Sequence, residues 1–155
     1  MKKVRRFLVL VVVFALMFSF VSCKGNTSGG GGNDESKIVA GEYLMFKSIE
    51  NGKEDSLFSD MGSDFDVETI KGFAKMCTIT IDKDGKGTMT VMSQGAADLK
   101  MDPNSGKMTM TVDGKEETAD YKFVGDELQL TNDNSTMCFL KEDSKEWEKL
   151  IEKKD

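Results

Sequence analysis

Histidine is absent from this sequence of 155 residues. Histidine is the usual general base near neutral pH and the commonest metal ligand in proteins, so its absence counts against most enzyme chemistry. The sequence also contains no nucleophile elbow, no phosphate-binding loop and no cluster of metal ligands. We therefore expect a protein with no catalytic residues, no cofactor and no metal site.

Cysteine and basic residues are also scarce. Three cysteines are too few for a fold that depends on disulfides. The 21 basic residues are outnumbered by 27 acidic ones, and four of the basic residues lie within the first six positions. Without those four, 17 basic and 27 acidic residues remain, a net charge of −10 that repels polyanions. We expect no binding to nucleic acid.

The N-terminus has the layout of a secretory signal. The positive charges of residues 1–6 are followed by an apolar run over residues 7–21. As a helix, these 15 residues would span only ~22 Å, which is short of the ~30 Å hydrocarbon core of a membrane. The pattern favours a signal peptide over residues 1–22 rather than a transmembrane anchor.

The end of this segment reads Phe20-Val21-Ser22-Cys23 and resembles the lipobox of bacterial lipoproteins. The resemblance implies that Cys23 becomes the new N-terminus and carries acyl chains such as palmitate. Two or three such chains would anchor the protein firmly in the membrane. It places the protein in the bacterial cell envelope, anchored to the cell membrane with its domain on the extracytoplasmic side. The alternative is a secreted protein with an unmodified Cys23.

Residues 23–37 should form a tether. Beyond Cys23 they contain four consecutive glycines and no apolar side chain, so they cannot pack into a core. A flexible coil of this length reaches about 20 Å. We expect the tether to hold the domain close to the membrane surface.

The remainder of the chain has the alternating apolar pattern of β-strands, separated by turn signals such as Asp84-Gly85 and Gly125-Asp126. Consecutive tight turns indicate an antiparallel meander, which leaves exposed edges unless it closes. We predict a mainly β fold, an eight-stranded meander barrel or half-barrel over residues 38–142. The predicted strands are 40–50, 76–82, 86–93, 96–101, 107–113, 115–124, 126–131 and 135–141.

Two segments have helical spacing instead. Residues 66–75 place apolar side chains on one face with Asp66 as N-cap, and we expect this insertion to cover an open end of the barrel. Residues 143–155 predict a C-terminal helix or tail, with Asp143 and Glu146 as a capping box. The helix should pack outside the sheet through Trp147 and its neighbours.

Residues 38–141 resemble the lipocalin-like domains of small bacterial lipoproteins. The resemblance depends on the segments Gly41-Glu42-Tyr43-Leu44-Met45, Thr78-Ile79-Thr80-Ile81-Asp82-Lys83-Asp84-Gly85-Lys86-Gly87-Thr88-Met89 and Gly125-Asp126-Glu127-Leu128-Gln129-Leu130. It implies an eight-stranded barrel or half-barrel that sometimes holds a small apolar ligand.

The sequence does not establish the function of such a barrel. The interior either binds a small apolar ligand or only maintains the fold. Ligand contacts would come from interior side chains, for which the candidates are Tyr43, Met45, Ile79, Met89, Met108, Met110, Tyr121 and Phe123. The alternative function is a protein-interaction module that recognises an envelope protein through residues 56–75 and exposed strand edges.

Three further features need interpretation, and two of them have two alternatives. Cys77 and Cys138 form a disulfide if their strands bring them together, and otherwise remain buried thiols. The segment Asp82-x-Asp84-Gly85-x-Gly87 partly resembles a calcium loop but lacks the twelfth ligand, so a hairpin turn is favoured. Glu116 and Glu117 are interpreted as a solvated acidic surface.

Overall fold

A computed structural model describes residues 37–56, 65–91, 95–112, 114–133 and 135–152. Cys23 and the predicted signal peptide lie outside these residues. The described residues form nine strands and two helices: β1 (Gly41–Glu50), β2 (Lys53–Ser56), α1 (Val67–Ala74), β3 (Cys77–Ile81), β4 (Lys86–Val91), β5 (Gly95–Asp102), β6 (Lys107–Val112), β7 (Lys115–Val124), β8 (Glu127–Asn132), β9 (Ser135–Lys141) and α2 (Lys145–Glu152).

Eight of these strands form a closed antiparallel barrel. Each of the strands from β3 to β8 pairs with the next along the chain, and β1 pairs with both β3 and β9. The predicted mainly β, eight-stranded meander is therefore confirmed, and its lipocalin-like barrel is closed rather than a half-barrel. Because the barrel is closed, each of these eight strands is paired on both sides along at least part of its length.

The short strand β2 was not predicted. It pairs with the second half of β1 through a turn at Asn51 and Gly52, both of which have positive φ. Asn-Gly is a strong hairpin signal, but the sequence Lys-Glu-Asp-Ser that follows has no apolar alternation. The turn was therefore the only sequence signal for this strand.

The apolar side chains divide into two clusters on the two faces of the sheet. The inner cluster fills the barrel with sixteen buried residues from all eight of its strands. The outer cluster joins Leu44 and Phe46 of β1 and Leu140 of β9 to Ile70 and Trp147 of the two helices. Both helices therefore pack against the outside of the barrel.

The predicted helix at 66–75 is confirmed, and Asp66 caps it by accepting a hydrogen bond from the Thr69 amide at 2.7 Å. The expectation that it covers an open end is wrong. Its buried Ile70 and Ala74 lie in the outer cluster, because the outward side chains of β1 and β9 are themselves apolar and need cover.

The C-terminal helix is also confirmed, but its predicted capping box is wrong. The cap is Ser144, whose Oγ accepts a hydrogen bond from the Trp147 amide at 3.1 Å. Asp143 has a φ of 63° and ends the preceding turn.

Candidate functional site

One end of the barrel, here called the tether end, is the end at which the chain enters β1. The turns that follow β3, β5 and β7 lie at this end. A carbonyl oxygen of each turn accepts a hydrogen bond from the next strand but one: Gly85 O accepts from Met101 N at 2.7 Å, Gly106 O from Tyr121 N at 2.9 Å, and Asp126 O from Lys141 N at 2.9 Å. These bonds fasten neighbouring hairpins together and close this end.

Hydrogen bonds within the turns fix their shape. The Asp82 carboxylate accepts from the amides of Asp84 and Lys86 at 2.8 and 2.9 Å. The segment interpreted as either a calcium loop or a hairpin is therefore a hairpin whose acidic side chain binds its own backbone. Among the described residues, no group of three or more cysteine or acidic side chains is arranged to hold a metal ion.

Bulky side chains fill the tether end. Tyr43 donates a hydrogen bond to the Val39 carbonyl at 2.8 Å, and burial raises the pKa of its phenol to about 12. Its ring lies 5.8 Å from that of Phe123. Tyr43, Ile79, Met108, Leu128 and Phe139 have no exposed surface, so they border no space that a water molecule could enter. This half of the interior is a packed core.

The opposite end, here called the open end, has smaller and more flexible inward side chains. Ser48, Cys77, Met110, Ala119 and Met137 lie deepest, each at most 4% exposed. Towards the rim, the inward-facing Val91 and Ala97 are only partly buried, and Val112 is 46% exposed. Residues 57–64 and 92–94 lie outside the described part of the chain.

Polar side chains also face inward at the open end. Glu117 pairs across the sheet with the interior residue Met110, and partial burial raises the pKa of its carboxyl. Glu117 is therefore partly buried on the inward face of β7, whereas Glu116 faces outward and is exposed. Alternation along β7 would have placed Glu117 on the same face as Ala119 and Tyr121.

The eight predicted interior residues all belong to the barrel interior. Seven are buried members of the inner cluster, and Phe123 is partly buried against it. Tyr43, Ile79, Met108 and Phe123 lie one or two residues from the tether-end terminus of their strands, whereas Met45, Met89, Met110 and Tyr121 lie three or four residues from it. The prediction did not include Ser48 or Glu117, which bring polar groups to the same interior.

Cys77 and Cys138 do not form a disulfide. Both are free and buried, but Cys77 belongs to the inner cluster and Cys138 to the outer one, on opposite faces of the sheet. Burial raises the pKa of both thiols to about 12, and the Glu127 carboxylate adds to the effect at Cys138. Neither thiol is a reactive nucleophile near neutral pH.

Comparisons of the chain with protein-family models, with curated proteins and with solved structures gave no match. Within the described residues, no helix is both long and apolar enough to cross a membrane.

Proposed function

We propose that this protein is a lipoprotein anchored in the cell membrane through acylated Cys23, and that its lipocalin-like barrel is a non-catalytic binding domain. The domain lies on the extracytoplasmic side and holds a small apolar molecule in its open end. The single observation that carries the ligand part is the difference in side-chain type between the two ends: the aromatic rings Tyr43, Phe123 and Phe139 occupy the tether end, whereas small residues and methionines line the open end.

Methionine gives the open half its capacity to adapt. Met45, Met89, Met110 and Met137 lie around this part of the interior. An unbranched thioether side chain has three rotatable bonds and repacks more readily than Leu or Ile. An eight-stranded barrel is just wide enough either to be filled by side chains or to hold one small ligand. A ligand that enters here therefore displaces side chains rather than backbone.

The direction from which the tether enters the barrel also supports a ligand site at the open end. Residues 37–40 lead into β1 at the packed end, where Ile38 lies over the turn at Gly85. If Cys23 holds the chain in the membrane, the open end lies on the side of the barrel opposite the attachment point. It is then accessible to molecules arriving from the envelope space.

Fractionation of the host cell tests the anchor. The wild-type chain should appear in the membrane fraction and incorporate labelled palmitate. Cys23→Ser should abolish the label, because the acylated sulfur is lost. Labelling of the variant at the wild-type level would contradict the assignment of Cys23.

Native mass spectrometry of the protein purified from its host tests the ligand. We expect an additional mass that is released on denaturation. Ala97→Phe should abolish this mass by filling the open end, whereas Ala96→Phe should not, because Ala96 is exposed on the outer face. A protein that carries no additional mass, or two variants that behave alike, would contradict ligand binding in the open end.

The alternative interaction module has less support. The apolar face of α1 is used in the outer cluster, and β2 is a short, charged edge strand of the kind that resists pairing with other chains. A pull-down partner that is lost when residues 56–75 are deleted would favour this alternative.

A further inference from the structure

The strand β1 contains a β-bulge between Met45 and Lys47, where its pairing with β9 shifts by one residue. Before the bulge, Tyr43 and Met45 face inward. Simple alternation would next place Lys47 and Ile49 inside, but the bulge turns Ser48 into the interior, opposite the inner-cluster residue Met137. Bulges are common at barrel rims and beside functional sites, where they redirect side chains. Here the bulge brings polar residues into the open end.

Ser48 is the most unusual of these residues. Its side chain is 4% exposed, and its hydroxyl has no hydrogen-bond partner among the described residues. A buried polar group without a partner is unfavourable and is rare in folded proteins. The hydroxyl can both donate and accept a hydrogen bond. It is therefore a site at which an incoming polar group gains an interaction that the free protein does not make.

Two carboxylates share a face of the β1–β2 hairpin with this hydroxyl. Asp55 is the cross-strand partner of Ser48, and Glu50 follows two residues later along β1. Both are partly buried. Lys53, the cross-strand partner of Glu50, is exposed. Glu117 adds a further inward carboxylate from β7. This arrangement disfavours an anionic group and favours one that donates hydrogen bonds.

We propose that the ligand of the open end is an amphiphile with a hydrogen-bond-donating, amine-type head group that binds at Ser48 and Asp55. Its apolar part contacts the Val91, Ala97 and Val112 side of the opening. This inference rests on the proposed function, since it names the ligand class of the same end of the barrel. It excludes fatty acids as the preferred ligands, because their carboxylate would face Glu50 and Asp55.

Three probes of equal chain length test the proposal: octylamine, octan-1-ol and octanoate. Each is titrated by calorimetry at pH 7 into the mature chain, residues 23–155, with Cys23→Ser so that no acyl chain competes. We expect octylamine to bind at least tenfold more tightly than octanoate. Ser48→Ala and Asp55→Asn should each weaken octylamine binding at least fivefold. The matched control Asp98→Asn changes the same charge on the exposed outer face and should have no effect.

The outcomes distinguish this proposal from the proposed function. Equal binding of all three probes, unaffected by Ser48→Ala or Asp55→Asn, would overturn the head-group assignment and leave an apolar site in place. Tighter binding of octanoate would overturn it as well. Absence of binding by every probe, together with a ligand-free protein from the host, would overturn both.

Discussion

Replacing Ser48 by alanine should stabilise the protein. The hydroxyl is buried and has no hydrogen-bond partner in the described part of the chain, and such a group typically costs about 1–3 kcal/mol of folding free energy. Alanine removes this cost and leaves only a void of about one oxygen atom. It also loses a little β-propensity, which offsets part of the gain. We expect the free energy of unfolding to rise by about 1 kcal/mol.

For a domain of this size, 1 kcal/mol corresponds to a rise in Tm of roughly 3–6 °C. Differential scanning calorimetry and denaturant titration of the ligand-free mature chain measure the change. Thr90→Ala is the control, because Thr90 is exposed on the outer face of β4 and its loss should change stability by less than about 0.5 kcal/mol. A lower Tm for Ser48→Ala than for the parent would refute the reasoning, since it would mean that the hydroxyl makes a stabilising interaction. A higher Tm of Ser48→Ala together with weaker ligand binding would show that Ser48 contributes to binding while it destabilises the fold.

Three further predictions concern other parts of the barrel. Gly87→Ala should destabilise the domain by about 3 kcal/mol or more, because a Cβ at this position would lie 1.7 Å from the Thr80 carbonyl oxygen; a denaturation midpoint close to that of the parent would contradict this close approach. Cys77 and Cys138 should remain reduced and unreactive towards thiol reagents until the chain is unfolded, and an intact mass 2 Da below that of the reduced chain would show a disulfide instead. Burial raises the pKa of the Glu117 carboxyl above its ordinary 4.5. The folded state therefore binds this proton more tightly than the unfolded state does. The contribution of Glu117 to stability consequently falls as pH rises through that raised pKa. Glu117→Gln should therefore raise the Tm more at pH 7.5 than at pH 4.0, and the opposite order would show that the carboxylate is stabilised in the fold.

Much of the barrel was predictable because its inward positions are regular. Along β3, for example, Cys77, Ile79 and Ile81 are buried and the threonines between them face outward. Hairpin signals such as Asp84-Gly85 separate successive strands and give the meander. Closure followed from the cost of exposed edges rather than from any single residue.

For two strands, β1 and β9, the sequence did not indicate which residues face the barrel interior. Residues Tyr43 to Phe46 and Met137 to Leu140 are continuous runs of buried side chains, because the outer face of these strands is covered by the helices. A run without alternation does not indicate which residues face inward. The positions of Cys138 outside the barrel and of Ser48 inside it were therefore hidden, as was the bulge between Met45 and Lys47. The same covered outer face explains why α1 was assigned to the wrong surface.

The most direct test of the central claim is methyl NMR of methionine-labelled mature chain titrated with octylamine. Interior methionines lie at both ends of the barrel, so their signals locate the ligand. We predict large shifts for Met45, Met110 and Met137 near the open end, and small shifts for Met101 and Met108 in the packed tether end. Shifts confined to Met101 and Met108, or to methionines outside the barrel, would contradict a ligand site in the open end.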